Sequence, residues 1–192
     1  MNIVKKNINW KVKTLLPYLN KSEKVLDFGC GDLSLSSSLK LSIPGLNITG
    51  VDVVDFKINQ NDIKFIKYDG KKLPFKDNSF DTVVSFYVFH HCDNPINSFK
   101  ECLRVGKRVV VVESVYRHPL EIPFMRFMDW IYNKFKSDSV HLSYQFLSYK
   151  DWVKVFSQDK LKMVSSKRIK QIFLSSIFPI GISYAFEVTK EN

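Results

Sequence analysis

The chain has 192 residues, of which 45% are hydrophobic and 14% aromatic; this excludes a disordered polypeptide and suits one domain, residues 1–192, with a sizeable core. Its formal net charge is +10, but the lysines stand in ones and twos and no arginine-rich segment occurs, so a solvated surface accounts for most of the excess, with attraction to an anionic surface as the alternative. No apolar run approaches the roughly 20 residues that span a bilayer, the start M-N-I-V-K-K-N-I-N-W has no signal core, and Cys30, Cys92 and Cys102 lack C-x-x-C spacing, so reduced thiols in a cytoplasmic protein are expected.

Residues 3 to 20 predict a helix, with Val4, Ile8, Val12, Leu15 and Leu19 near helical spacing and Pro17 kinking or ending it. Its basic face, with Trp10, suits a cap on the core, a flap over a ligand or a helix at a membrane surface. Next comes K-V-L-D-F-G-C-G-D-L, Lys24 to Leu33. A buried strand ending at Asp27, two alternating glycines and a small-residue helix from Ser34 to Leu41 follow one another. Glycine permits both the backbone angles of such a turn and the close approach of a ligand, while the helix start offers N–H groups to a negative group. A dinucleotide site opens in the same way, but its third glycine would fall at Ser34.

The order D-x-G-x-G, carried by Asp27, Gly29 and Gly31, resembles the first motif of class I S-adenosylmethionine (SAM) dependent methyltransferases. The resemblance implies that Asp27 organises the loop and receives the methionyl ammonium through water, and that Gly29, Cys30 and Gly31 lie against the cofactor. Leu33 stands where the family often has a smaller residue. A second strand, Ile48 to Val51, ends at Asp52, placed to accept hydrogen bonds from two ribose hydroxyls. By resemblance Asp52 is the ribose ligand, with Val53 beside it; Asp55 reads as a solvated or capping residue.

A third strand fits Ile63 to Lys67, before Asp69-Gly70 and L-P-F-K-D-N-S-F-D, which again resembles the small-molecule members of this family. Asp69 then meets the adenine amino group with Gly70 nearby, and Asp77-Asn78-Ser79 forms a turn. The fourth strand, Asp81 to Phe86, runs into Y-V-F-H-H. Ligands bind at the carboxyl ends of such strands, so Phe86 and Tyr87 would shield the sulfonium and adenine side. His90 or His91 would contact the acceptor or act as base. No metal is expected there, since adjacent histidines on one turn rarely converge and no nearby acids complete a set.

Asp93-Asn94-Pro95 opens a helix that buries Ile96, Phe99 and Leu103. A fifth strand, Arg108 to Val112, is a valine run suited to a sheet covered on both faces. The family's K-P-G-G turn before it is here a short Val105–Arg108 turn, and Glu113-Ser114 closes the strand on the ligand side. Residues 115 to 147 carry Phe124, Met125, Phe127, Met128, Trp130, Ile131, Tyr132 and Phe135, too apolar all round for an exposed helix. They suit a lid over an apolar acceptor, a dimer or membrane contact, or packing on the sheet edge. Ser148 to Asp151 reads as a capping box for a helix through Phe156. Two final strands, Met163 to Ile169 and Gly181 to Thr189, form the antiparallel hairpin, joined through Pro179, with which the family ends.

The expected fold is a Rossmann-like α/β three-layer sandwich with a mostly parallel seven-stranded sheet. The expected activity is methyl transfer from SAM to a small, apolar acceptor, which requires the nucleophile to be held in line, about 3 Å from the methyl carbon, with water excluded. An oxygen acceptor would also need a base, for which His90, His91, His118, His141 and Glu113 are candidates. A non-catalytic SAM-binding protein keeps the same features, as does, less well, a nicotinamide-dependent oxidoreductase. A nucleic-acid methyltransferase is not expected, because the N/D-P-P-Y/F segment is absent after the fourth strand.

Overall fold

The computed structural model describes residues 3–56, 62–134, 143–158, 160–169 and 182–191. Lys24–Phe28 forms β1, paired in parallel with β2 (Asn47–Asp52) on one side and β4 (Phe80–Phe86) on the other. Outside these run β3 (Lys64–Lys67) on β2 and β5 (Gly106–Val115) on β4, both parallel. β7 (Ile182–Lys190) pairs antiparallel with β5, and β6 (Leu161–Ile169) with β7, giving the seven-stranded order β3-β2-β1-β4-β5-β7-β6. This is the expected mixed sheet with its antiparallel finish.

Period-two alternation sends neighbouring side chains to opposite faces, and both faces are covered. On one face Val25, Ile48, Val84, Val110 and Val112 pack with α1 (Ile3–Leu15) and α2 (Ser34–Ser42) through Val12, Leu15, Leu35 and Leu39. On the other, Leu26, Phe28, Val83, Val109 and Val111 meet Phe99, Cys102 and Leu103 of α3 (Pro95–Val105) and Trp152, Val155 and Phe156 of α5 (Tyr149–Phe156). Val109, Val110, Val111 and Val112 of β5 are fully buried, each contributing on the order of 1.5–3 kcal/mol. The Asn94 side chain caps α3 by accepting the Asn97 N–H, and Ser148 with Asp151 completes the capping box of α5.

Several boundaries differ from expectation. Helix α1 stops at Leu15 and a 3₁₀ turn, Leu16–Tyr18, follows around Pro17. Asp27 lies inside β1 rather than at its end. The turn expected at Val105–Arg108 does not form, because α3 passes directly into β5 at Gly106. A Cβ there would fall 2.6 Å from Val83 Cγ2, so only glycine lets the two elements join this closely. Glu113 and Ser114 sit within β5, which continues to Val115.

The D-N-S turn does form, with Asn78 in a left-handed conformation. Arg104 holds the preceding segment from α3, donating to the carbonyls of Leu73 and Phe75 and to the carboxylates of Asp77 and Glu101. Among the described residues of the aromatic segment, a 3₁₀ turn, Pro119–Glu121, leads into α4 (Ile122–Lys134), with Met125 buried and Phe127 and Trp130 exposed by 54% and 42%. Phe135, His141, Pro179 and Gly181 lie outside the described residues. No helix among the described residues is long and apolar enough to cross a membrane.

Candidate functional site at the carboxyl edge of the sheet

The first five strands are parallel, so their carboxyl ends share one edge, and the strand order reverses between β1 and β4. A crevice forms where connections leave such a switch point in opposite directions. Two loops flank it here: the glycine loop after β1 and the histidine turn, Phe89–His91, after β4. They touch at Gly29, where an added Cβ would fall 2.4 Å from Val88 Cγ1. Gly29 also has φ +73°, a region in which side chains are disfavoured.

The loop is held from β2. Gly29 N–H and Cys30 N–H both donate to the Val51 carbonyl, at 2.8 and 3.2 Å. Gly31 N–H donates to Asp52 Oδ2 at 2.8 Å, and Val54 N–H to Asp52 Oδ1 at 3.0 Å. Gly31 has φ +55°, and a Cβ built on it would meet nothing within 4 Å, so the loop borders open space. Burial raises the Asp52 pKa, and the amides of Val54, Gly31 and Val53 pull it partly back.

Asp27, expected near a methionyl ammonium, is 2% exposed and accepts the Ser36 hydroxyl at 2.5 Å. Burial pushes its pKa up to about 6, against the lowering effects of Ser36 and the Lys11 charge. It therefore ties β1 to α2 from beneath the loop. Cys30 is buried, and that burial, with Asp27 and Asp52 nearby, raises its thiol pKa.

The residues expected at the adenine side sit further along the edge. Asp69 is exposed and accepts from the N–H groups of Lys71 and Lys72, which lower its pKa. Gly70 lies against Val53, whose Cγ1 would be 3.4 Å from a Cβ at that position. Phe86 is buried on the α1 side, where Trp10 meets it edge-on at 5.5 Å and stacks on Tyr87 at 6.3 Å. Lys11 Nζ lies 5.2 Å from the Phe86 ring centre. Helix α1 thus covers Phe86 and Tyr87 at the carboxyl end of β4.

Across the crevice, Glu113 is 1% exposed and organises the histidine turn. Its Oε1 accepts the N–H groups of Val88 and Phe89 at 2.8 Å each, and its Oε2 lies 2.7 Å from His90 Nδ1. The His90 ring is stacked on Phe146. Burial alone would lower the His90 pKa, but the charges of Glu113 and Asp129 outweigh it and push it up to about 9. Asp129, on α4, lies 3.5 Å from His90 Nε2 and 3.7 Å from His91 Nε2. No periodicity linked this aspartate to the histidines; only the fold of α4 over the turn does so. His118 is exposed and accepts the Leu120 N–H, apart from this cluster.

A sheet with this order, a glycine loop braced on an acid at the end of β2, and polar side chains after β4 form the arrangement that the resemblance to class I SAM-dependent methyltransferases implies. Residues 26–111 match the family described as a methyltransferase domain. Among curated relatives, a demethylmenaquinone methyltransferase of Thermotoga maritima is 36% identical over 91 residues, 45% of this chain and 40% of that protein. Cycloartenol-C-24-methyltransferase 1 of Oryza sativa subsp. japonica is 32% identical over 96 residues, 44% of this chain and 27% of that protein. The chain spans less than half the length of these relatives. A solved SAM-dependent methyltransferase from Methanosarcina mazei shares the fold with a TM-score of 0.65 and 18% identity, covering 93% of this chain and 97% of that one.

Proposed function

We propose that the protein transfers a methyl group from SAM to a small, apolar acceptor of the lipid, quinone or natural-product type. The observation that supports this reading most is the close approach of Gly29 and Val88, which brings the glycine loop beside the polar cluster after β4. The open space beside Gly31 and the paired acceptor oxygens of Asp52 fit an adenosyl cofactor. Asp52 would hold the ribose hydroxyls, Val53, Asp69 and Gly70 would border the adenine, and Gly29, Cys30 and Gly31 would line the amino-acid end. When bound, SAM supplies a sulfonium-activated methyl group and its own leaving group, so the chain's work is positioning.

Trp10, Phe86 and Tyr87 would exclude water from one side. On the acceptor side, His91 or His90 would contact the acceptor. Glu113, enclosed by two amides and the His90 ring, acts as a positioning residue and not as a base. The exposed Phe127 and Trp130 of α4 favour an apolar acceptor, and the names of the relatives, a demethylmenaquinone and a cycloartenol methyltransferase, accord with this. The same side chains suit a dimer or membrane-surface contact in a cytoplasmic protein.

Incubation with methyl-labelled SAM and a panel of quinone, lipid and phenolic acceptors tests this reading. Label in an apolar product, lost in Asp52→Ala, is expected. Tight adenosyl binding without transfer to any acceptor class would favour a SAM-binding protein that does no chemistry.

A further inference from the structure

We propose that His90, His91 and Asp129 bind a divalent first-row transition ion of the zinc type. The inference rests on this chain's own side chains and does not depend on methyl transfer.

The three residues come from two elements. His90 and His91 lie on the 3₁₀ turn that follows β4, with ring centres 4.1 Å apart and planes inclined by 49°. Asp129 descends from α4 and presents Oδ1 to His90 Nε2 at 3.5 Å and Oδ2 to His91 Nε2 at 3.7 Å. One donor atom from each residue falls within 4.8 Å of the other two. Around a tetrahedral zinc with bonds of about 2.0–2.1 Å, neighbouring donor atoms are about 3.4 Å apart. The observed spacings therefore need only small side-chain rotations to close on an ion.

The surroundings are those of a ligand held in place for a metal. Metal-binding imidazoles commonly give their second nitrogen to a carboxylate, which sets the tautomer and the ring orientation. His90 does this through Nδ1 and Glu113, and Glu113 is itself fixed by the amides of Val88 and Phe89. That leaves Nε2 aimed at Asp129; it is buried and has no hydrogen-bond partner among the described residues. Phe146 stacks on the ring at 4.6 Å and 12°, removing its remaining freedom. Two carboxylates thus flank one buried imidazole, and an ion bound at Nε2 would take the place of the proton there. Two nitrogens and a carboxylate suit zinc and its neighbours better than magnesium or calcium, which take oxygen sets. Three protein ligands leave a fourth position for water or an acceptor oxygen, the pattern of reactive rather than purely structural sites.

The test is titration of the chelator-stripped full chain with Co²⁺, followed by its visible ligand-field bands and by calorimetry, with Zn²⁺ as competitor. One ion per chain, displaced by Zn²⁺ and accompanied by a rise in Tm, is expected. Asp129→Ala and His91→Gln should each weaken binding at least tenfold, Glu113→Gln by about 10–100-fold, and His118→Gln not at all. Circular dichroism confirms that each variant is folded, and the partly exposed Asp129 and His91 decide the matter if Glu113→Gln unfolds. No Co²⁺ uptake by wild type, or equal uptake by wild type and the folded Asp129→Ala and His91→Gln variants, would overturn the proposal and leave a hydrogen-bonded cluster.

Discussion

Asp52 Oδ2 accepts the Gly31 N–H at 2.8 Å, so the acid at the end of β2 braces the glycine loop that follows β1. The same carboxylate has two duties: it positions the loop, and in the proposed function it meets the ribose. Asp52→Ala should remove both and weaken S-adenosylhomocysteine binding at least about 100-fold, in line with about 1.5–3 kcal/mol for each charge-assisted hydrogen bond. Asp52→Asn keeps an acceptor for the Gly31 amide and should lose less. Calorimetric titration of both variants checks the order; equal affinity for all three proteins would remove Asp52 from the site.

Gly29→Ala should be costly for two separable reasons. The new Cβ meets Val88 Cγ1 at 2.4 Å, and the φ of +73° disfavours any side chain. Each contributes on the order of 1–3 kcal/mol. Adding Val88→Ala should recover the steric part and leave the conformational part, a difference that urea unfolding of the single and double variants measures.

Arg104 joins α3 to the L-P-F and D-N-S segments through two carbonyls and two carboxylates. Arg104→Met should destabilise the fold by about 2–3 kcal/mol, mostly by stranding the part-buried carbonyls of Leu73 and Phe75. For a chain of this size that is a fall in Tm of roughly 5–10 °C. An unchanged Tm would show that these carbonyls find solvent as readily as they find Arg104.

Asp27 supplies a pH dependence with a definite sign. Its folded-state pKa is raised by burial from 3.8 to about 6, so the folded chain binds a proton more tightly than the unfolded chain does. Stability from this group is therefore greatest below about pH 4, falls as pH rises from about 4 to about 6, and stays lower above it. At about 1.4 kcal/mol per unit the loss is on the order of 3 kcal/mol. Asp27→Asn keeps an acceptor for Ser36 and should flatten the slope of Tm between pH 4 and 6 relative to wild type. Parallel slopes would place the Asp27 charge in better solvation than its 2% exposure implies.

The parallel part of the sheet was legible because local pattern and burial agree there. Fully covered parallel strands read as short apolar runs, and Val25-Leu26, Val83-Val84 and Val109–Val112 are such runs. The glycine loop was legible for a different reason: its backbone angles admit few residues, so Gly29 and Gly31 leave a mark in the sequence. Strand ends were less clear. Glu113 was expected to close β5, but a polar residue in a strand carries no record of whether a partner lies in reach; here the Val88 and Phe89 amides and His90 supply three.

By itself the amino-acid sequence determined the parallel strands and the glycine loop, through short apolar runs and backbone angles that only certain residues adopt, while the antiparallel finish came from the resemblance to the methyltransferase family. Tertiary structure alone decided that Asp27 is buried, that Trp10 packs on Phe86, and that Asp129 meets His90 and His91. The reason is that convergence in space depends on how helices cross the sheet, and helix α4 carries its aspartate to the histidine turn through packing, for which sequence spacing holds no signal.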